Sequence, residues 1–527
     1  MARFNTRAAK AQPTSRVTST GRVLHTFEGG RGREREARSE LFLLAVSHFV
    51  SQQTFYETGA DRDDRFTNLV RELAVSDPSW TAGLLGWLRG EGNLRTASIV
   101  GAAEYVKARL DAGAVDGPSN RQVVASVLQR PDEPGELLAY WTAVHGRNVP
   151  KPVKRGIADA VRRLYSGKSL LKYDTASKGY RFGDILNLVH AAPDPDKPWQ
   201  GKLFQYALDR RHHPDTAVPP ASSRVLTAHR ELMALPVEDR RAVVTSKGGA
   251  ERLAAAGMTW EALAGWLQGP MDKAAWEAVI PSMSAMALGR NLRNFDEAGV
   301  SDEVAAQVAA RISDPAEVVR SRQFPFRYLA AYQHAPSLRW SYPLEQALGH
   351  SLAHVPALPG RTLVLVDRSG SMFYSRLSDR SELNRADAAA IFGTALALRA
   401  AQADLVEFGT TSRRLTFGKG ESVLKILGRF GDLGGTDTTS AVRAHYRGQD
   451  RVLIVTDEQY AFSHHGDPTG QVPANVPVYT WNLAGYRVGH GPSGTANRHT
   501  FGGLSDAAFR MVPLLEAARD TKWPWAA

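Results

Sequence analysis

Cysteine is absent from this 527-residue chain, and long apolar runs are absent as well. The lack of cysteine excludes disulfides, thiolate metal sites and cysteine nucleophiles, and it agrees with a reducing, cytoplasmic location. Without a stretch of about 18 consecutive apolar residues, no membrane-spanning helix is expected. The N-terminus (MARFNTRAAK) also lacks the apolar segment of a secretory signal. Its arginine-rich, acid-poor composition is shared with transit peptides, but it favours a solvated basic tail.

Acidic residues are fewer than basic ones, and the excess positive charge is unevenly spread. The chain has 65 Lys and Arg against 54 Asp and Glu, which gives a net charge of +11. Residues 1–40 hold nine Arg or Lys and four Glu, so this short segment alone carries +5. A basic arm on a mildly basic body suits a polyanion such as RNA. Solubility alone is the competing explanation, and charge by itself does not decide between the two.

Strand-like alternation is scarce before residue 359, whereas helical periodicity is frequent. Residues 1–35 are polar and rich in Gly, Thr and Arg, which predicts a basic, flexible N-terminal arm. Over 36–358, apolar residues recur at spacings of three and four between short breaks such as SDPS, PDEPG and APDPDKP. So many short helices cannot form one compact bundle. We therefore predict an α-helical solenoid of HEAT-like helix pairs.

The pattern changes after Pro359, where strands begin to alternate with helices. RTLVLVD is a strongly apolar run that ends in a carboxylate, and a helical segment follows at 385–400. DLVEFG, RRLTFG, RVLIVTD and VPVYTWNL are further strands, with helices at 421–430 and from residue 438. This alternation predicts a parallel, doubly wound, Rossmann-like sheet over 359–527.

Oxygen-bearing side chains follow the first of these strands. VDRSGSM supplies Asp367, Ser369 and Ser371 in a D-x-S-x-S pattern. Ligands gather beyond the carboxyl ends of the strands in such a sheet, and carboxylate with hydroxyl oxygens suits Mg²⁺ or Ca²⁺. Alone the pattern is weak evidence, since a turn with a helix cap produces it too. Thr436 in GGTDTTS and Asp457 in IVTDEQ strengthen the metal interpretation.

These pieces resemble, in order and spacing, the metal-ion-dependent adhesion site of von Willebrand factor A domains. The resemblance implies that all five residues are ligands, directly or through water, and that one coordination position stays open for a partner's carboxylate. Arg368 and Asp437 would alter the local charge. Hydrolysis would need a general base near a metal-bound water, and Glu458 is the only nearby candidate. We interpret Glu458 as a solvated loop carboxylate, and the adjacent His464 and His465, which have no third ligand, as part of a surface loop.

Five segments of the chain carry a resemblance to a known protein family. They are SELFLLAVSHFVSQQTFYETGADRDDRFTNLV (39–70), KRGIADAVRRLY (154–165), KYDTASKGYRFGDILNLVHAAP (172–193), MSAMALGRNLRNF (283–295) and FPFRYLAAYQ (324–333). In this order they resemble the TROVE family, the Ro autoantigen proteins and their bacterial relatives. The resemblance implies a ring of HEAT-like helices with a positively charged cavity, closed by the C-terminal A domain. It also implies Y RNA on the outer surface and single-stranded ends of misfolded RNAs in the cavity. The implied protein partner is an exoribonuclease such as polynucleotide phosphorylase.

Basic residues in and beside these segments are candidate RNA contacts. On a helix that turns ~100° per residue, Lys151, Arg155 and Arg162 lie within about 40° of each other, away from an apolar stripe. Such a basic face suits phosphates, although a solvated face is the alternative. Phe182 stands where eukaryotic relatives have a histidine tied to Y RNA, so that contact is not carried over. The predicted contacts are Lys151, Lys154, Arg155, Arg162, Lys172, Lys178, Arg181, His190, Arg290 and Arg293.

Two functions from different classes follow. The first is a non-catalytic, monomeric RNA-binding protein of the Ro type, acting in RNA quality control with no membrane attachment. The second is a protein-binding adaptor that uses a divalent cation, Mg²⁺ or Ca²⁺, to capture a partner's Asp or Glu, with RNA secondary. A metal-dependent hydrolase is disfavoured, since no paired general acid and base, P-loop or catalytic triad is evident.

Overall fold

The structure, a computed structural model, describes most of the chain as two compact units. The helical unit comprises Ala74–Gln323 and Ala331–Ala347, and the sheet unit comprises Met1–Leu73, Phe324–Ala330 and Leu348–Ala527. Boundaries at 35 and 358 were predicted from sequence pattern, whereas contacts group the residues up to 73 with the sheet. The described residues are 15–47, 52–321, 323, 325–335, 337–352, 355–374, 376–378, 381–495, 497–504, 508, 509, 512 and 523–525.

Helices dominate the described chain between residues 37 and 352, as predicted. None of the helices in the described part of the chain has both the length and the apolar character that a membrane crossing requires. Short 3-10 helices lie at Ile280–Ser282, Leu338–Trp340 and Pro468–Gln471. In chain order the α-helices are α1 (Ala37–Ser47), α2 (Gly59–Ser76), α3 (Pro78–Gly90), α4 (Arg95–Asp111), α5 (Asn120–Val127), α6 (Glu133–His145), α7 (Lys151–Leu164), α8 (Gly167–Tyr173), α9 (Phe182–Val189), α10 (Gln200–His212), α11 (Arg224–Met233), α12 (Val237–Thr245), α13 (Gly249–Ala255), α14 (Trp260–Leu267), α15 (Lys273–Val279), α16 (Ala285–Arg290), α17 (Leu292–Glu297), α18 (Asp302–Ser313), α19 (Pro315–Ser321), α20 (Pro325–His334), α21 (Ser341–Ser351), α22 (Gly370–Tyr374), α23 (Arg385–Arg399), α24 (Val423–Leu427) and α25 (Thr438–His445).

Within the helical unit, the helices that pack most closely are near neighbours along the chain. Helix α7 lies against α5 and α9, and α9 lies against α10. Side-chain caps begin several of these helices: Ser119 and Gln122 form a capping box at the start of α5. Tyr165 and Phe182 stack at the α7–α9 contact, with ring centroids 3.7 Å apart. Phe182 is therefore a core aromatic residue. The predicted closure of the helices into a ring stays a prediction.

The sheet unit contains a mostly parallel six-stranded sheet. The strand order is β11-β9-β8-β3-β6-β7, in which β7 alone is antiparallel to its neighbour. The predicted fold class, helices followed by a doubly wound α/β domain, is confirmed. In chain order the strands are β1 (Ser19–His25), β2 (Arg31–Arg35), β3 (Leu358–Asp367), β4 (Arg376–Ser378), β5 (Ser381–Asn384), β6 (Ala400–Phe408), β7 (Ser412–Leu415), β8 (Arg451–Thr456), β9 (Val478–Asn482), β10 (Val488–Gly489) and β11 (Arg498–Gly502).

Strand β3 lies at the centre of this sheet and is buried on both faces. Leu363 and Leu365 belong to one apolar cluster with residues of β6, β8 and α25. Helix α23 packs closely against β3 and β6. A Cβ on Gly393 would lie 2.3 Å from Val366 Cγ2, so only glycine allows that close approach. Burial on both faces explains why the strand reads as a continuous apolar run.

The N-terminal segment differs from its prediction. Strands β1 and β2 form an antiparallel hairpin, and β2 pairs in turn with β10. The prediction of a flexible arm over 1–35 is therefore wrong for residues 19–35, while residues 1–14 lie outside the described residues. The error has a physical cause. The partner strand lies more than 450 residues away along the chain, and local composition carries no signal of such pairing.

Candidate metal centre and nucleic-acid interface

The carboxyl ends of β3 and β8 bring two aspartates together. The two strands are adjacent and parallel, with Val366 opposite Val455. Asp367 ends β3, and Asp457 follows β8 directly. Their side chains are reached by hydroxyl groups: Ser371 Oγ donates to Asp457 Oδ2 at 2.7 Å.

The D-x-S-x-S turn holds its own oxygens close together. The backbone N–H of Ser369 donates to Asp367 Oδ1 at 2.9 Å, and the hydroxyls of Ser369 and Ser371 are 3.3 Å apart. Thr456 Oγ1 donates to the other oxygen of Asp367 at 2.6 Å. Helix α22 begins at Gly370, so the turn leads directly into a helix. The alternative interpretation of the D-x-S-x-S pattern, a turn with a helix cap, also predicts a helix at this position. The structure thus brings four of the five predicted ligands into one hydrogen-bonded cluster.

Thr436 lies in a second loop that is tied to this turn. The backbone N–H of Gly370 donates to the carbonyl of Gly434 at 2.6 Å, and Gly434 has a φ of 73°, which favours glycine. Thr436 is itself buried, and its carbonyl accepts a hydrogen bond from Ala461, in the loop after Asp457. The third predicted element therefore lies at the same end of the sheet.

The two buried aspartates repel each other. Burial raises the pKa of Asp367. Burial and then the charge of Asp367 raise the pKa of Asp457 to about 7. A divalent cation between them would offset both effects, and carboxylates with hydroxyls are the oxygen donors that Mg²⁺ and Ca²⁺ prefer. The donor set thus fits such an ion.

The two charged neighbours named from the sequence have structural roles of their own. The Arg368 guanidinium donates to the carbonyls of Gly431 and Ala386, at 2.7 and 2.6 Å. Asp437 caps α25 by accepting from the backbone N–H of Ser440 at 3.0 Å. Both side chains are therefore occupied in holding the loops around the cluster.

Glu458 differs from its predicted role as a solvated carboxylate. It is 1% exposed, and Arg35 Nη2 lies 2.6 Å from both of its carboxylate oxygens. Burial raises the pKa of Glu458. The charges of Arg35 and His490, together with hydrogen bonds from Asn482 and Arg35, lower it by more, so the pKa lies below its usual value. The sequence interpretation failed because Arg35 belongs to the N-terminal hairpin. A carboxylate held this way is not free to act as a general base.

The rim of the cluster includes residues that the sequence analysis missed. The Tyr56 hydroxyl donates to Glu28 at the tip of the hairpin. Burial raises the pKa of Tyr56, with further contributions from Glu28 and from the charge of Asp457. No sequence motif marks either residue, because both reach the site through the fold. The residues of the cluster itself were predicted from the D-x-S-x-S pattern after the first strand and from Thr436 and Asp457.

Histidines do not extend the candidate metal site. His464 and His465 are exposed in the loop before the Pro468–Gln471 turn, as predicted. In the described part of the chain, no group of three or more His, Cys, Asp or Glu side chains is placed to hold a metal ion. A cation at the cluster would therefore depend on two carboxylates supplemented by hydroxyl oxygens.

Helix α7 presents its basic residues away from its core face. Lys151 and Arg155 are exposed, and Lys154 is half-buried. Among the described residues, none of these three has an acidic partner within the 4.0 Å that defines an ion pair. Arg162 is 3.9 Å from Asp194. The buried residues of α7 are Val153, Gly156, Ile157, Ala160 and Val161.

The segment after α8 carries cations that are paired. Lys178 lies 3.9 Å from Asp132, and its side chain is 42% exposed. Arg181 is 3.0 Å from Asp174 and only 19% exposed. Asp174 also accepts from the backbone N–H of Phe182, so this carboxylate organises the start of α9. Arg181 thus has a structural partner in addition to its predicted RNA contact.

Lys172 and His190 complete this region, near the ends of α8 and α9. Both are exposed. The Lys172 ammonium lies 5.3 Å from the ring centre of Tyr173, and His190 ends α9 in the left-handed region with a φ of 50°. Both positions are open to solvent, as a phosphate contact requires.

The segment 283–295, which contains Arg290 and Arg293, contributes to two short helices, α16 and α17. Asn291 separates α16 from α17, and its buried side chain donates to the carbonyl of Ala287 at 2.8 Å. Arg290 is exposed at the end of α16. Arg293 is 75% exposed and pairs with Glu297 at 2.8 Å. The arginines are accessible, whereas Asn291 is part of the core.

Comparisons with known proteins agree with this architecture. Residues 252–339 match the TROVE domain family model, a stretch that includes the predicted segments 283–295 and 324–333. The crystal structure of the Deinococcus radiodurans RO (RSR) protein is similar, with a TM-score of 0.62 and 18% sequence identity. The similarity covers 92% of this chain and 100% of that one. A comparison with curated protein sequences gave no match. The predicted resemblance to the TROVE family is thus confirmed over residues 252–339, and at 18% identity the structural likeness shows the fold.

Proposed function

We propose that this chain, with its TROVE match and the fold of a bacterial Ro protein, is a non-catalytic RNA-binding protein of the Ro type. The observation that carries the proposal is the positive charge on α7, where Lys151, Lys154 and Arg155 lack acidic partners in the described part of the chain. Unpaired cations can neutralise phosphates and release counterions directly. A paired cation must first give up its carboxylate.

This distinction ranks the predicted RNA contacts. The unpaired cations of α7 are the primary phosphate contacts, together with Lys172 and Arg290, which also have no acidic partner in the described part of the chain. The paired cations Arg162, Lys178 and Arg293 are secondary. Arg181 contributes least, because its side chain is mostly buried against Asp174.

The finer assignment rests on the family resemblance. Y RNA binds the outer basic surface formed by α7 and residues 172–190. Single-stranded ends of misfolded or structured RNAs bind in the cavity, where Arg290 and Arg293 contribute. The protein acts in RNA quality control together with an exoribonuclease such as polynucleotide phosphorylase.

The test is RNA affinity as a function of salt, measured on the full chain. We expect Lys154→Ala/Arg155→Ala to weaken binding to a structured small RNA. The slope of log K against log salt should become shallower by roughly 0.7–0.9 for each phosphate that is no longer neutralised. The control is Lys107→Ala/Lys273→Ala, which also removes two positive charges, but from cations paired with Asp111 and Glu277. Equal affinity of the two double variants would contradict the assignment to α7.

A divalent cation, Mg²⁺ or Ca²⁺, is proposed for the buried cluster. Asp367 and Asp457 would hold it, with Ser369, Ser371 and Thr436 contributing oxygens directly or through water. The cation would supply a Lewis-acidic position open to a carboxylate. Its binding is measurable by calorimetric titration of the metal-free chain, and Asp367→Ala should abolish it.

The second candidate function is a metal-dependent protein-binding adaptor, and the buried pair Asp367 and Asp457 is the observation that favours it. On this hypothesis a partner protein co-purifies with the full chain, is released by EDTA, and is absent from preparations of Asp367→Ala. RNA does not co-purify. Sequencing of co-purified nucleic acid from the same preparation decides between the two functions.

A further inference from the structure

A polar cavity lies at the edge of the six-stranded sheet opposite to Asp367. Strands β3 and β6 run side by side and parallel there, near their starts, with Arg361 opposite Gln402. The cavity has a volume of about 420 Å³, which is within the range of small-molecule sites. Its polar lining comes from β3, β6, β7, α25 and the loop after α25, and consists of Arg361, Gln402, Asp404, Arg414, His445 and Arg447.

Three arginines bring an excess of positive charge to this cavity. Arg361 and Arg447 are exposed, and neither has an acidic partner within 4.0 Å among the described residues. Arg414 pairs with Asp404, whose other carboxylate oxygen accepts a hydrogen bond from the Gln449 side-chain amide at 2.7 Å. The polar lining therefore presents three guanidinium groups against one carboxylate, and that carboxylate is already shared.

The surroundings of His445 show the sign of the local potential. His445 is half-buried, and its Nε2 lies 3.0 Å from Ser412 Oγ. Burial lowers the pKa of the imidazole, and the charges of Arg447 and Arg414 each lower it by more than Asp404 raises it. The potential in the cavity is therefore positive, even though one carboxylate is present.

The loop after α25 is held in place by Gln449, which is 2% exposed. Gln449 Oε1 accepts from the backbone N–H of Arg447 at 2.7 Å, and its side-chain amide donates to the carbonyl of His445 at 3.3 Å. Arg447 Nη1 in turn donates to the carbonyls of Arg443 and Tyr446, at 3.2 and 2.8 Å. Among the described residues, no acceptor meets the Nε and Nη2 groups of Arg447. The guanidinium is thus fixed at the cavity with donors to spare.

We propose that this cavity binds a phosphate dianion, in the form of a phosphomonoester. A guanidinium group presents a planar fork of N–H donors that matches phosphate oxygens. Arg361 and Arg447 stand on two different elements, so a dianion satisfies both, whereas a single carboxylate has one charge for two cations. A phosphate group has only five heavy atoms, so a cavity of this size also holds the organic group to which it is esterified. The site involves neither α7 nor the candidate metal centre.

The experiment measures the binding of adenosine 5′-monophosphate (AMP) to the full chain by isothermal titration calorimetry, beside inorganic phosphate and adenosine. We expect Arg361→Gln and Arg447→Gln each to weaken AMP binding about tenfold, since each removes charged hydrogen bonds to the phosphate. The control Arg443→Gln removes the same charge from an exposed arginine of α25 outside the cavity, and should leave AMP affinity unchanged. Lys154→Ala/Arg155→Ala should also leave it unchanged, so a failure of the proposed RNA surface is distinguishable from a failure of this site.

The outcomes also separate the two sources of phosphate. Tighter binding of AMP than of inorganic phosphate supports an esterified ligand, and the reverse order would contradict it. Absence of AMP binding by the parent chain, or adenosine binding as tightly as AMP, would overturn the proposal, because the phosphate would not be recognised. An equal loss in Arg443→Gln would overturn it too, since the effect would then be one of net charge. Because Arg361 lies on β3 and not at the end of α25, Arg361→Gln decides the outcome if Arg447→Gln fails to fold, and unchanged AMP affinity in Arg361→Gln would place the binding elsewhere.

Discussion

At the scale of single residues, the ion pair between Arg35 and Glu458 links the N-terminal hairpin to the loop after Asp457. Both side chains are almost fully buried, at 0% and 1% exposure. Asn482 donates a further hydrogen bond to Glu458, and Glu458 has a φ of 64°, which is unusual for a residue other than glycine. A buried pair of this kind tolerates the removal of one partner poorly, because the remaining charge stays desolvated.

We therefore expect Arg35→Met to destabilise the sheet unit by about 3–5 kcal/mol. The measurement is urea unfolding followed by tryptophan fluorescence. Glu458→Gln combined with Arg35→Met should recover part of this stability, since the unpaired charge is then absent. The control Arg33→Met changes a less buried arginine on the same strand and should cost no more than about 0.5 kcal/mol. A small effect of Arg35→Met would show that the pair contributes little.

At the scale of the element, α7 joins packing to the proposed RNA surface. Its Gly156 faces α5, where an added Cβ would lie 2.6 Å from Val124 Cβ and 2.7 Å from the Arg121 carbonyl oxygen. The glycine lets the two helices approach closely, and this contact fixes the orientation of the basic face.

Gly156→Ala should accordingly destabilise the helical unit by about 1–3 kcal/mol through overpacking. We also expect weaker RNA binding, since α7 must shift. The control Gly265→Ala lies in α14 with no atom within 4 Å of the added Cβ. It should be neutral or stabilising by up to about 1 kcal/mol, because alanine is the better helix former. Thermal unfolding and RNA affinity of both variants would test this, and equal behaviour would contradict the packing argument.

At the scale of the whole molecule, the chain divides by contacts rather than by sequence order. Residues 15–73 belong with the sheet unit, so the segment predicted as a free arm is part of a folded unit. The β1–β2 hairpin contributes backbone pairing with β10 and the Arg35 side chain.

Deletion of residues 1–35 should therefore lower the melting temperature of the sheet unit by roughly 10 °C, as removal of the buried pair and of the strand pairing implies. Differential scanning calorimetry would measure it. An unchanged melting temperature in the truncated chain would mean that the hairpin is only loosely attached.

The predictable part of the fold and site was the part that local pattern specifies. Helical spacing indicated the helices, the apolar strand ending at Asp367 indicated the sheet, and Asp457 after IVT indicated the second carboxylate. The antiparallel hairpin was missed because its Gly and Arg residues resemble those of a solvated tail. The RNA contacts could be predicted from the sequence only in part. The sequence shows that Arg155 and Arg181 are basic. It does not show that Asp174 pairs with Arg181 and not with Arg155.

The amino-acid sequence by itself determined the order of helices and strands, the oxygen cluster after β3, and the absence of thiol chemistry. These depend on periodicity and composition over a few residues. Tertiary structure alone decided that Arg35 neutralises Glu458, that the tip of the N-terminal hairpin contacts the loop after Asp457, and which cations of the basic surface stay unpaired. Each of these depends on contacts between residues far apart along the chain, for which a single sequence carries no local signal.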